Sequence, residues 1–143
     1  MKTKASWPLF WALLAVSVVT ICLLLVPALG GLFAGSGLFL IPFSVFFLLA
    51  VALLVFTLRE QVAGLLRAFF LLTAASAAGV FVFILLHNAV YGLLIHFFGA
   101  AFWGGIGGDE PFFFILAVIV CPLGFLTGAI GSIVLRIKGV ASQ

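Results

Sequence analysis

The sequence predicts an all-α fold: an integral membrane four-helix bundle with both termini cytoplasmic. Three observations carry that expectation: the composition, the length of the charge-free stretches, and the side on which the basic residues fall. The chain is 67% hydrophobic, with 18 Phe and only 6% charged residues. An average soluble domain is roughly 45–50% apolar and about 25% charged. A chain this apolar has too little polar surface to coat a water-exposed globule, so lipid is expected as the solvent for much of it. At 143 residues it is expected to form one transmembrane domain over 1–143.

Charged residues are absent from Ala5 to Leu58, from Ala68 to Gly108 and from Pro111 to Leu135. Crossing a hydrocarbon core of about 30 Å takes about 20 apolar residues. The first stretch holds two crossings if GGLFAGSG at 30–37 is the turn between them, and the others hold one each. The expected spans are therefore approximately 7–29, 38–58, 68–98 and 112–135. A β-barrel would alternate apolar and polar residues, and VFFLLAVALLVF at 45–56 does not alternate. Helices satisfy their own backbone hydrogen bonds, as lipid requires of an open chain.

Lys2, Lys4, Arg59, Arg67, Arg136 and Lys138 all fall on one side of four such crossings, and Asp109 with Glu110 falls on the other. The positive-inside rule then makes both termini cytoplasmic. The same distribution explains the net charge of +3 without a nucleic-acid partner.

The first helix opens with Trp7 and Trp11 at interface depth and has Pro8 in its first turn, where a missing N–H costs little. Lys2, Lys4 and the Ala28-Leu29-Gly30 sequence also suit a cleavable signal. However, a signal core runs roughly 7–15 residues, and Pro8 to Val26 is longer. The second helix has Pro42 in its first turn and ends at Arg59 and Glu60, which are expected to form a solvated pair. The third carries a short small-residue run, Ala75 and Gly79, with Ser76 beside it. The fourth starts at Gly-Asp-Glu-Pro, 108–111, where Asp109 or Glu110 is expected to cap and Pro111 to take the first helical position. Inside it, Pro122 takes the partner from the Val118 carbonyl, which predicts a kink.

Gly124, Gly128 and Ser132 stand four apart and make a stripe that lets another backbone approach closely. Packing of the third helix on the fourth and a homodimer through this GxxxG face need the same residues, and the sequence does not separate them. Cys22 and Cys121 lie inside spans, form no CxxC and read as small packing residues. That counts against four-helix thiol oxidoreductases.

The remaining polar residues gather in LLHNAVYGLLIHFFG at 85–99. His87 lies 20 residues beyond Arg67, about 30 Å along a helix, which is the outer edge of the hydrocarbon. Tyr91 shares its face at i+4, and Asn88 lies three residues before Tyr91. His96 is half a turn round on the opposite face. Asp109 and Glu110 begin the fourth helix at the same depth. The candidate cluster is therefore His87, Asn88, Tyr91, Asp109 and Glu110, with His96 at its margin.

Two readings compete. In one, these are amphipathic residues at headgroup depth that only join and cap helices. In the other, ionisable groups near the membrane interior mark a ligand, proton or ion site. A b-type haem needs facing histidines, and His87 and His96 are on one helix with opposite directions. Zinc wants closely spaced ligands, so no metal site is assigned. A quinone or similar head group needs only hydrogen-bond donors and aromatic walls, which His87, Tyr91, Phe97, Phe98 and Phe112 to Phe114 offer. Proton-coupled exporters need a carboxylate deep in a span, and none is present. Span hydroxyls at 17, 20, 44, 73, 76 and 127 more often bond back to their own helix than line a pore.

The run at 85–99, followed by GDEPFFFILAVIVCPLGFLTGAIGSIVL, resembles a family of small bacterial and archaeal four-span membrane proteins of unknown function. The resemblance covers residues 85 to 135 and is carried by the His-Asn…Tyr-Gly and Asp-Glu-Pro elements. It implies a multi-pass membrane protein and transfers no activity, cofactor or partner. The expected function is that of a non-enzymatic accessory or assembly subunit in the cell membrane, alone or as a homo-oligomer through the Gly124/Gly128/Ser132 face. The alternative is an outer-interface site for a small lipid-soluble molecule or ion, built on His87, Asn88 and Tyr91 with Asp109 and Glu110.

Overall fold

The computed structural model describes residues 5–26, 40–105 and 110–139. The expected turn at 30–37, with Lys2, Lys4 and Asp109, lies outside the described residues. Among the described residues there are four long helices: α1 (Ser6–Leu25), α2 (Leu40–Arg59), α3 (Gly64–Phe98) and α4 (Pro111–Ile137), with a 3-10 turn at Trp103–Gly105. All four are long and apolar enough to cross a membrane, and no strand occurs among the described residues.

α3 starts at Gly64, four residues before its expected start, and α4 runs past Arg136 to Ile137. A charge marks where lipid is expected to end, but a helix continues wherever its hydrogen bonds do. At 35 residues, α3 is about 52 Å long at 1.5 Å per residue, well beyond the length of α1 or α2.

The helix ends that carry Arg59, Arg67 and Arg136 form one end of the bundle, called here the basic end. Glu60 ties it together. Its carboxylate accepts from the Ala5 N–H (2.7 Å), the Ser6 N–H (3.2 Å) and the Ser6 hydroxyl (2.6 Å). This corrects the expectation of a solvated pair with Arg59. The unsatisfied N–H groups and positive dipole end of α1 attract a carboxylate more strongly than an exposed guanidinium does. Arg136 lies 5.0 Å above the Trp7 ring, and Trp7 and Phe10 pack on Phe70 of α3. Both described chain ends, Ala5 and Gly139, therefore sit at the basic end.

α2 turns into α3 without glycine at the critical position. The Val62 N–H reaches back to the Thr57 carbonyl (3.3 Å), and Gln61 takes the left-handed conformation at φ 50°. That closes α2 in the manner of a Schellman motif.

α3 and α4 make the closest pairing in the bundle. A Cβ built on Gly128 would sit 2.7 Å from the Thr73 nitrogen and 2.8 Å from the Phe69 carbonyl oxygen, so only a glycine allows this approach. Gly124 meets Ser76 and Gly131 meets the Phe69 ring. Ser132 is fully buried, and its hydroxyl donates to the Gly128 carbonyl. The stripe is thus filled by α3 of the same chain, which takes away the surface that a homodimer through this face requires.

On α3 the facing residues are Phe69, Thr73, Ser76 and Gly79, the last against the Cys121 sulfur. Ala75, expected in this contact, is exposed. One residue is 100° of helix, so Ala75 is turned well away from the line through Thr73 and Ser76. At Pro122 the helix is disturbed by a π turn over Leu116–Val120, closed by the Cys121 N–H on the Leu116 carbonyl. An extra residue in the turn is one way a helix accommodates a missing donor.

Candidate functional site at the far end of the bundle

α4 begins with Glu110 in extended conformation (φ −85°, ψ 104°) and Pro111 at the first helical position. Glu110 is 6% exposed. Its Oε1 accepts from the Phe112 N–H (2.8 Å) and its Oε2 from the Phe113 N–H (3.0 Å). These bonds and the dipole end of α4 offset the cost of burying the carboxylate.

His87 arrives from α3. Its Nδ1 lies 3.0 Å from the Glu110 carbonyl oxygen and 3.3 Å from Oε2. A carbonyl oxygen only accepts, so Nδ1 carries the proton. The imidazole is walled by Tyr91, stacked at 6.3 Å, and by Phe114 at 5.6 Å. Tyr91 in turn stacks on Trp103 at 5.4 Å, and the Trp103 indole N–H donates to the Tyr91 carbonyl (3.2 Å). Trp103 is 5% exposed. It folds the 99–105 connection back onto α3.

The structure thus brings together His87, Tyr91 and Glu110, and adds Trp103 and Phe114. Asn88 is exposed, and its Nδ2 donates to the Ile84 carbonyl at 2.8 Å, so it joins no other helix. His96 is apart from the group, exposed and edge-on to Phe97. Among the described residues no three His, Cys, Asp or Glu gather as a metal site would need. Trp103 had no signal in the sequence, because a connection has no period to betray which ring turns inward.

Two hollows lie along α3, the first beside this group and the second about two to three helical turns away from it. One, of about 270 Å³, is lined by Ile84, His87, Asn88, Phe114, Ala117 and Val118. The other, of about 240 Å³, lies among all four helices, where Ser17 and Thr20 of α1, Phe46 of α2, Ala77 and Val80 of α3 and Phe125 of α4 surround it. The Ser17 and Thr20 hydroxyls donate to the Leu14 and Val16 carbonyls of their own helix, so this second hollow presents hydrocarbon.

Comparison of the chain with family models, curated proteins and solved structures finds no match.

Proposed function

We propose that this chain is a small integral membrane protein with its basic end in the cytoplasm, acting as a non-enzymatic accessory or assembly subunit. One observation carries the reading: the polar side chains are used to build the fold. Glu60 holds the start of α1 and Glu110 the start of α4. Thr57, Thr73, Thr127 and Ser132 donate to carbonyls of their own helices. The surface left for other molecules is apolar, as on α4, where Leu123, Leu126, Ile130, Val134 and Ile137 point outward.

Because Gly128 is already packed against α3, partner contact belongs to this outward face. Tagged protein extracted in mild detergent is expected to bring down a second membrane protein or a second copy. Leu126→Trp with Ile130→Trp should break that association while leaving the thermal midpoint unchanged. Recovery of a lone monomer, with nothing captured by cross-linking in the membrane, would contradict the reading.

A second reading is favoured by the hollow beside His87 and Asn88: a site at the outer interface for the polar head of a lipid-soluble molecule. It needs no catalysis and is compatible with an accessory role.

A further inference from the structure

We infer that the two hollows form one lipid site, with a hydrogen-bonding head at His87 and Asn88 and a hydrocarbon chain reaching down to Ala77, Val80 and Phe125. The inference rests on the second reading above and names its ligand class: a polar-headed lipid of the outer leaflet. Ala77, Val80, Ile84 and His87 follow each other at steps of three, four and three residues, so they share one face of α3. The lower hollow is lined by the first two and the upper by the last two.

Chemistry grades along this face. The lower hollow is hydrocarbon, and the upper one offers an imidazole and an amide whose Nδ2 is already bound to Ile84, leaving its oxygen to accept. From His87 to Ala77 is ten residues, about 15 Å, which is half of a hydrocarbon core about 30 Å thick. A lipid chain of one leaflet covers the same depth.

The lower hollow is half open to its surroundings and its walls are apolar, so in a bilayer it favours a run of methylenes over water, and the methylenes gain dispersion contacts with Phe46 and Phe125. The contacts that tie α1 to α3 and α4 cluster at the basic end, around Trp7, Phe70 and Arg136, away from this level.

The test uses full-length protein in lipid nanodiscs and a phosphatidylethanolamine with a diazirine midway along one acyl chain. Cross-linked residues are mapped by mass spectrometry, with the outward residues Val18 and Leu48 as internal reference. Labelling is expected at Ala77, Val80 or Phe125. Ala77→Phe, or Val80→Phe if the first variant does not fold, should cut it about tenfold by filling the space, with labelling of the reference residues unchanged.

Asn88→Leu should lower labelling of the hollow about threefold at limiting probe, the effect of one interhelical-strength hydrogen bond. Competition by unlabelled phosphatidylethanolamine supports the phospholipid assignment, and competition only by a long-chain quinone overturns it. Labelling confined to the outward face in the unaltered protein overturns the chain site, even if a short-chain quinone still binds in a His87-dependent way. Labelling of the hollow that ignores both His87→Ala and Asn88→Leu overturns the head assignment, and the second reading with it.

Discussion

At Glu110 one carboxylate meets the N–H groups of Phe112 and Phe113 and the imidazole of His87, so its loss strands two backbone donors and leaves His87 Nδ1 only the shorter contact to the main-chain carbonyl at 110. Glu110→Ala is expected to reduce stability by about 1–2 kcal/mol, the upper part of the range for a helix cap. His87→Ala should cost less, because the cap remains. In a double-mutant cycle the pair should couple by about 0.5 kcal/mol or more. Thermal unfolding in detergent with the four proteins measures both quantities, and additive effects would mean that the contact between the imidazole and the carboxylate carries no energy.

The capping half of this arrangement was legible because it is local: Glu, Pro and the first N–H groups stand within three residues. The His87 half was legible from depth, since equal helix rise brings positions 87 and 110 to one level. Asn88 was drawn in by proximity alone, and the carbonyl one turn back within its own helix was the nearer partner. Asp109, the other acid of the expected cluster, is outside the described residues.

The contact between α3 and α4 depends on glycine at one place above all. With backbone atoms 2.7 and 2.8 Å from where its Cβ would be, Gly128 has no flexible neighbour to yield. Gly128→Ala should therefore separate the helices and lower stability by about 1–3 kcal/mol. Gly92, on the same α3 but with nothing within 4 Å of a built Cβ, gives the opposite expectation. Gly92→Ala should be neutral or raise stability by up to about 1 kcal/mol through helix propensity.

Thermal midpoints of the two variants distinguish close packing from a general effect of losing glycine. The stripe itself was readable from its spacing of four, but whether its partner was α3 or a second copy was not, because both demand the same small residues. Ala75 was misplaced because Gly79 set the supposed face, and Ser76 lies nearer the true one. The π turn before Pro122 was beyond reach, since a lost donor announces a disturbance and leaves its form to the neighbours.

Across the bundle, four apolar helices alternate in direction, with Arg59, Arg67, Arg136 and the described chain ends together and Glu110 opposite. The helix count and order follow from charge-free lengths, which is why they were visible in composition alone. The role of Glu60 was not, because it joins residues 54 and 55 positions apart, and only the closed bundle brings them together. The orientation in the membrane is the proposal on which the accessory role and the lipid site both stand.

Impermeant maleimide labelling of single-cysteine variants, made with Cys22 and Cys121 replaced by Ser and Ala, addresses it directly. Ala101→Cys, in the exposed connection between α3 and α4, should label in intact cells. Ala63→Cys and Gly139→Cys at the basic end should label only after permeabilisation. Labelling of Ala101→Cys and Ala63→Cys from the same side would contradict a bundle that spans the bilayer with its arginines inside.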